Sequence, residues 1–136
     1  MKDIPTKEYT KIVGSMPIMC VDLIIRFDDR YLLVKRADEP LKGEWWVVGG
    51  RVRKGEDLRK AARRKLMEEV GLFGDIGEMV GSYGEEFKES PHGKIHTISF
   101  VFVVEPHDDF VTIDETSTEY KWSETLPTRF INGLLE

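Results

Sequence analysis

The sequence predicts a single α+β domain. Strand-like runs rich in β-branched and apolar residues alternate with helical segments, and no linker, internal repeat or low-complexity stretch divides the chain. One segment, residues 58–70, carries apolar residues at spacings of three and four, the period of a helix with one buried face. A chain of 136 residues suits one domain covering residues 1–136 and buries about two thirds of its unfolded surface.

The first half of the chain is expected to contain one short helix and three strands. Residues 5–13 are expected to form the helix. The runs 17–27 and 31–36 are expected to pair as a hairpin across the polar residues 28–30. A strand at 45–48 then leads into a pair of glycines.

The second half is expected to contain three strands and a closing helix. The strands are predicted at 76–84, 94–105 and 119–122, and the helix at 127–135. At the start of the strand predicted at 94–105, the side chains alternate between the two faces of the sheet. One face carries Ile95, Thr97 and Ser99, and the other carries His96, Ile98 and Phe100.

The helix predicted at 58–70 has recognisable ends. Asp57 is expected to cap it and Gly71 to stop it. The apolar stripe consists of Leu58, Ala61, Ala62, Leu66 and Val70.

The charges of this helix run in an unusual order. A helix is positive at its start and negative at its end, yet its basic residues come first and Glu68 and Glu69 stand in the last turn. The arrangement costs roughly 0.3 to 1 kcal/mol per carboxylate. Two explanations are open: ion pairs to Arg64 and Lys65, four residues earlier, or a bound hard cation such as Mg²⁺.

Residues 50–72, GRVRKGEDLRKAARRKLMEEVGL, resemble the Nudix box. That pattern is Gly, five residues, Glu, seven residues, Arg, Glu, apolar, any residue, Glu, Glu, any residue, Gly and an apolar residue. The matching positions are Gly50, Glu56, Arg64, Glu68, Glu69 and Gly71. The resemblance implies a Nudix-type α/β/α sandwich with a mixed central β-sheet, and a hydrolase that uses Mg²⁺ or Mn²⁺.

Lys65 is the one departure from the box, because it stands where the first helical glutamate is usual. By resemblance, Glu69 is a metal ligand and a catalytic residue, Glu68 assists it, and the carbonyl of Gly49 contributes a further ligand. A lysine at position 65 brings a positive charge in place of another carboxylate. We therefore expect fewer metal ions than usual, and one in this chain.

The likeness narrows to one branch of the family, the GDP-mannose mannosyl hydrolases, which also lack that glutamate. The stretches SMPIMCVDLII, YLLVKRADEP and GEWWVVGGRV resemble the amino-terminal half of those enzymes. The resemblance implies a nucleotide-sugar substrate, attack by water on the anomeric carbon with release of the nucleoside diphosphate and the sugar, and a homodimer.

Arg36, Arg51 and Asp22 are expected to bind the substrate, and the resemblance implies that the two arginines are also catalytic, because they neutralise the departing diphosphate. Arg36 follows the strand YLLVK and Arg51 follows the double glycine, so both should reach the mouth of the metal site, where a guanidinium fork suits diphosphate oxygens. The alternative for each is a surface arginine at a strand end. Asp22 interrupts an apolar strand, and a buried carboxylate needs a partner. That partner is either a structural hydrogen bond or, as the resemblance favours, the substrate.

The general base is left open by the sequence. When EYKW, residues 119–122, is aligned with the same segment of the branch, Thr116 and Ser117 stand where those enzymes have a metal-binding glutamine and the catalytic histidine. Neither hydroxyl deprotonates near neutral pH, whereas histidine titrates there. Either the loop aligns differently, so that Glu115 or Glu119 supplies a carboxylate, or the mechanism differs.

Other side chains are weaker candidates for the site. His96 is a candidate substrate-facing group, and Glu85 and Glu86 are expected on a mobile loop near the mouth. Tyr9 and Phe87, which are flanked by charged residues, are candidates for stacking on a nucleobase.

Composition limits the partners and the location. A net charge of −5 argues against broad binding to nucleic acid or anionic membranes. The chain has no run of about 18 apolar residues, and its first residues, MKDIPTKEYTK, lack the apolar region of a signal peptide. We therefore expect a cytoplasmic protein. The single cysteine, Cys20, permits no internal disulfide and is expected to be a buried thiol.

Three functions compete with hydrolysis at carbon. The first is attack on phosphorus, which yields a nucleoside monophosphate and a sugar phosphate. The second is hydrolysis of nucleoside triphosphates. The third is a non-catalytic nucleotide-binding module, for which the departures at Lys65, Thr116 and Ser117 leave room.

Overall fold

The computed structural model describes residues 4–135. The helices in this range are α1 (Thr6–Val13), α2 (Leu58–Val70) and α3 (Thr128–Leu135). The strands are β1 (Ile18–Phe27), β2 (Arg30–Arg36), β3 (Trp45–Trp46), β4 (Val48–Arg51), β5 (Gly74–Phe87), β6 (Ile95–Pro106) and β7 (Ser117–Ser123). Within the described range, no helix has the length and apolar character needed to cross a membrane.

The strands form a mixed sheet. Its order is β3-β2-β1-β6-β5, with β4 also paired to β1 and β7 also paired to β2. β1 and β6 run parallel, whereas the pairings of β1 with β2 and β4, and of β5 with β6, are antiparallel. The predicted α+β fold with a mixed central sheet is confirmed.

Strand β1 separates two cores because its side chains alternate between the faces of the sheet. Val21 and Leu23 join a cluster that includes Leu66 of α2. Ile24 points the other way, into a cluster that includes Phe130 of α3. Helices α2 and α3 therefore cover opposite faces of the sheet, which is the predicted sandwich.

The hairpin of the first half is confirmed, but the strand predicted at 45–48 is not continuous. Asp28 and Asp29 connect β1 to β2 with positive φ angles of 49° and 61°. Beyond the hairpin, β3 pairs with β2 while β4 pairs with β1. Val47 is buried at the point where the chain changes partner. The prediction of one strand was wrong because an apolar run does not show which neighbour each residue pairs with.

Strand β5 is longer than predicted and removes an expected loop. Glu85 and Glu86 lie in β5, since the ladder with β6 continues to Phe87, opposite Ile95. Backbone hydrogen bonds to β6 hold this charged segment extended, so the prediction of a mobile loop was wrong. The carboxylate of Glu85 also forms an ion pair with Arg129 of α3.

Candidate active site

Helix α2 begins and ends as its sequence predicts. The Asp57 carboxylate accepts a hydrogen bond from the amide of Lys60 at 2.8 Å. Gly71 takes the left-handed conformation, with φ at 66°, and its amide reaches two carbonyls of the last turn. The buried residues of the predicted stripe are Ala61, Ala62, Leu66 and Val70. The predicted cap, stop and apolar stripe are confirmed. Because the stripe packs against the core, it fixes which side of α2 points away from the core.

Arg64 ties α2 to the loop that precedes it. Its Nε and Nη2 donate to the two carboxylate oxygens of Glu56 at 2.7 and 2.9 Å, a two-pronged geometry that guanidinium groups favour. Glu56 also accepts from the amide of Arg53, and Arg64 donates to the carbonyl of Arg51 at 2.8 Å. The hydrogen bonds from Arg64 in particular lower the pKa of Glu56 to about 2. These two box residues therefore fix Arg51, at the end of β4, and the loop that follows it.

The carboxylates at the end of α2 have different surroundings. Glu69 is buried, whereas Glu68 is exposed. Lys65 Nζ lies 2.8 Å from Glu69 Oε2 and 3.6 Å from Glu68 Oε2, and Arg64 Nη1 lies 3.1 Å from Glu68 Oε2. Both ion pairs that the spacing permits are formed, and they offset part of the cost of the reversed charge order. Burial raises the pKa of Glu69, and the Lys65 ammonium opposes that rise.

The double glycine lets two side chains lie against bare backbone. A Cβ at Gly49 would stand 2.4 Å from Oδ1 of Asp22, and a Cβ at Gly50 would stand 2.3 Å from Cε of Lys65. Both distances are too short for real atoms, so any larger residue displaces its neighbour. Gly49 is therefore required by the Asp22 side chain and by the backbone carbonyl of Val21, which a Cβ would approach to 2.5 Å, whereas a larger residue at Gly50 would displace the flexible end of Lys65.

Asp22 is a buried carboxylate with a direct partner. The hydroxyl of Tyr83 donates a short hydrogen bond to its Oδ2. Burial raises the pKa of Asp22 to about 6 and the charge of Glu69 adds to the rise, while the Tyr83 hydrogen bond and the charge of Arg36 oppose it. Two partners were predicted for Asp22, a structural hydrogen bond or the substrate. The structural hydrogen bond is present, and Asp22 also lines a cavity.

Replacing Asp22 with asparagine is expected to stabilise the protein at pH 8 and to have little effect at pH 4. The folded state holds the Asp22 proton more tightly, since its pKa is about 6 instead of the usual 3.8. The stability that depends on this proton is fully present below about pH 4 and is lost as the pH rises through about 6. The loss amounts to about 3 kcal/mol. Urea denaturation of both proteins at pH 4, 6 and 8 measures it, and a difference that does not change with pH would contradict the expectation.

A cavity of about 140 Å³ opens beside the double glycine, and Arg36 and Arg51 both line it. Arg36 Nε donates to the carbonyl of Pro40 at 2.6 Å. The Arg51 guanidinium lies 4.5 Å from the centre of the Tyr9 ring. The structure thus places both arginines at one cavity, and the residues that line it do not include Glu68 or Glu69. Cys20 also lines the cavity and is partly exposed instead of buried.

Two of the other candidates lie outside this cavity. Ile95 and Thr97 line it, so His96, which stands between them on β6, points to the opposite face of the sheet. Tyr9 is not in the cavity wall, and its ring packs edge-on against His92 at 5.0 Å. Phe87, the second stacking candidate, does line the cavity.

At the start of β7, neither Thr116 nor Ser117, the residues aligned with the glutamine and the histidine of the branch, offers a general base. Ser117 is buried in the ladder between β2 and β7. The hydroxyl of Thr116 donates to the Asp114 carboxylate at 2.5 Å. Glu115 is exposed, and Glu119 forms an ion pair with a lysine of β2 at 3.1 Å.

Asp114 is an acidic neighbour of the site that the sequence did not reveal. Its amide donates to the carbonyl of Glu69 at 3.1 Å. Its charge contributes to the raised pKa of Glu69, after burial. Asp114 lies in an acidic stretch without periodicity, so the only signal in the sequence is that a carboxylate stands two residues before Thr116.

The donors near Glu69 have the chemistry of a hard-cation site. Glu68 and Glu69, with the Gly49 carbonyl that the family resemblance adds, offer oxygen atoms, which Mg²⁺ and Mn²⁺ accept together with waters and phosphate. Residues 4–135 contain no group of three His, Cys, Asp or Glu side chains arranged around one point. The Lys65 ammonium lies at ion-pair distance from Glu69 instead. The donors fit a divalent ion if that ammonium moves aside.

A comparison with protein families identifies the chain. The NUDIX domain family matches residues 16–125. The chain belongs to the Nudix family. Nudix hydrolases act on nucleotide substrates and generally use a divalent metal such as Mg²⁺ or Mn²⁺. The predicted enzyme class, a Nudix hydrolase, is confirmed.

Relatives of this Nudix protein have several functions by name. The low-salt glycan biosynthesis protein Agl8 of Haloferax volcanii is 35% identical over 121 residues, which are 87% of this chain and 78% of Agl8. An ADP-ribose pyrophosphatase of Methanocaldococcus jannaschii is 37% identical over 89 residues, which are 65% of this chain and 51% of that protein. The chain thus spans about half the length of the second relative. The crystal structure of a MutT protein from Methanosarcina mazei Go1 is 27% identical with a TM-score of 0.73, covering 89% of this chain and 93% of the other.

Proposed function

We propose that this Nudix hydrolase acts on a nucleoside diphosphate linked to a sugar or a similar group. The observation that carries the proposal is the cavity beside Gly49, where Arg36 and Arg51 meet the buried carboxylate of Asp22. Two guanidinium groups suit the two phosphates of a diphosphate, and a carboxylate suits a hydroxyl of a sugar. The name of Agl8, which refers to glycan biosynthesis, also favours a sugar-linked substrate.

In this proposal the end of α2 holds the metal. Glu69, Glu68 and the carbonyl of Gly49 would bind one Mg²⁺ or Mn²⁺, which when bound neutralises charge on the diphosphate. Arg36 and Arg51 bind the same phosphates from the cavity side; the Arg36 side chain is held by the Pro40 carbonyl, and the Arg51 backbone is held by the hydrogen bond from Arg64. The metal ion, when bound, and the two arginines would thus surround the leaving diphosphate with positive charge.

The size of the cavity also bears on the substrate. About 140 Å³ is too small for a whole nucleotide sugar. A second, more open cavity of about 490 Å³ shares Pro40, Leu41 and Phe87 with the first. A substrate that spans both would place its diphosphate in the first and another part of the molecule in the second. Phe87, at the junction, is positioned to stack on a planar group.

The proposal also concerns which bond of the substrate is hydrolysed. The likeness to the GDP-mannose mannosyl hydrolases favours attack on the anomeric carbon, with release of the nucleoside diphosphate and the sugar. Attack on phosphorus is the second candidate, and the ADP-ribose pyrophosphatase among the relatives favours it. A non-catalytic module is the third, because Lys65 already neutralises Glu69. Homodimer formation and a cytoplasmic location stay predictions.

Product analysis distinguishes these candidates. The protein is incubated with Mg²⁺ and a panel of nucleoside diphosphate sugars, ADP-ribose and nucleoside triphosphates, and the products are identified by mass. We expect a nucleoside diphosphate and free sugar from a member of the nucleotide-sugar set. A nucleoside monophosphate with a sugar phosphate would establish attack on phosphorus. The absence of any product, with nucleotide binding retained, would establish the binding module.

A further inference from the structure

The side chain of Lys65 is held in a defined position above the double glycine. Its stem lies so close to Gly50 that an added Cβ there would stand 2.3 Å from Cε and 3.0 Å from Nζ. The Lys65 side chain is only 14% exposed, and that of Glu69 is 8% exposed. The ammonium therefore does not project into solvent. It is packed between the backbone of Gly50 and the carboxylate of Glu69.

The environment of Glu69 needs a cation at this position. The Glu69 side chain is 8% exposed, and Asp114, a second acidic residue, is hydrogen-bonded through its amide to the Glu69 carbonyl. The Lys65 ammonium supplies a positive charge 2.8 Å from Glu69 Oε2. A buried carboxylate without such a partner is strongly unfavourable.

A divalent ion on Glu69 would meet the same ammonium. Like charges within about 4 Å repel each other substantially, even in the partly solvated setting of a cleft. Glu68 offers the ammonium a second position, because its Oε2 lies 3.6 Å from Lys65 Nζ and its side chain is 40% exposed. A short movement of Nζ from Glu69 toward Glu68 would free the buried carboxylate.

We propose that Lys65 is a built-in counter-ion of Glu69 that a divalent cation must displace toward Glu68 before it binds. The geometry rests on the covered ammonium over Gly50 and on the two acceptors at unequal distances. Divalent ions bind this site more weakly than they would without the lysine. The protein keeps its fold without metal, because the charge of Glu69 is already compensated.

Titration with Mn²⁺ tests the proposal, with free Mn²⁺ measured by electron paramagnetic resonance. The proteins are the wild type, Lys65→Met and the control Lys60→Met, whose lysine is exposed on the same helix. We expect Lys65→Met to bind Mn²⁺ at least about tenfold more tightly than the wild type, and Lys60→Met to match the wild type. Equal or weaker binding by Lys65→Met would overturn the proposal.

Thermal unfolding gives a second readout that does not depend on activity. In the presence of a chelator, Lys65→Met is expected to unfold at least about 5 °C below the wild type. Saturating Mn²⁺ should recover most of that shift in the variant and change the Tm of the wild type less. A variant that Mn²⁺ does not restore would count against the proposal.

A third variant covers the case in which Lys65→Met does not fold in the chelator. Lys65→Gln keeps most of the chain length without the charge, and it is refolded with and without Mn²⁺. Folding of either variant only with Mn²⁺ supports the proposal, whereas failure of both in Mn²⁺ overturns it. No nucleotide enters these measurements, so their outcome is independent of which substrate the product analysis finds.

Discussion

Replacing Glu69 with glutamine is expected to reduce turnover at least ~100-fold. Glu69 is the buried carboxylate at the end of α2, and it is the proposed principal oxygen ligand of the metal. Glutamine has nearly the same shape but carries no charge, so it neither holds a divalent ion well nor pairs with the ammonium 2.8 Å away. Steady-state turnover at saturating Mg²⁺, with the substrate identified by the product panel, measures the loss.

Two matched variants separate this effect from a general loss of acidic charge. Glu68→Gln alters the exposed neighbour and is expected to cost less than Glu69→Gln. Glu78→Gln alters an exposed glutamate of β5 outside the cavity and should leave turnover unchanged. Circular dichroism and thermal unfolding confirm that each variant is folded. Activity of a folded Glu69→Gln protein close to that of the wild type would refute the metal assignment.

Replacing Arg64 with alanine is expected to lower the free energy of unfolding by about 3 kcal/mol. The substitution removes both hydrogen bonds to Glu56 and the bond to the carbonyl of Arg51. It also leaves the Glu56 carboxylate, whose side chain is 9% exposed, without its main partner. Urea denaturation at pH 7 measures the change in stability. Because Arg51 loses its anchor as well, we expect KM for the substrate to rise in the same variant.

The neighbouring residue provides the control for that substitution. Arg63 lies in the same turn of α2 but is exposed, so Arg63→Ala makes the same chemical change without the partly buried ion pair. Its effect on stability should stay within about 0.5 kcal/mol. Equal losses in the two variants would show that the contacts of Arg64 add nothing beyond an ordinary surface arginine.

Local patterns predicted the elements that depend on local contacts. The cap at Asp57, the stop at Gly71 and the stripe of α2 are set by residues within a few positions of one another. The hairpin at Asp28 and Asp29 is local in the same sense. The break near Val47 and the full length of β5 depend on pairing with strands that are distant in the chain. An isolated run of residues does not record that pairing.

The candidate site divides in the same way. Gly49 and Arg51 lie in β4 and Glu69 lies in α2, which follows β4 after one short loop, so their spacing in the sequence largely fixes their relation in space. The face of the sheet to which His96 points depends on the register of β6 with β1. Asp114 reaches Glu69 through a hydrogen bond from its backbone amide, and an irregular loop carries no periodicity that predicts such a contact.

The side chains of β1 point alternately into the hydrophobic core and into the wall of the cavity, so one strand serves both the fold and substrate binding. Val21 and Leu23 enter the core beneath α2, while Cys20 and Asp22, between and beside them, enter the wall of the cavity. A slip of β1 by one residue would turn Asp22 into the core and an apolar side chain into the cavity. β4 and β6 hold the register from both sides. Mutations that loosen either neighbour should therefore abolish substrate binding before the protein unfolds, because the cavity fails as soon as the strand loses its alignment.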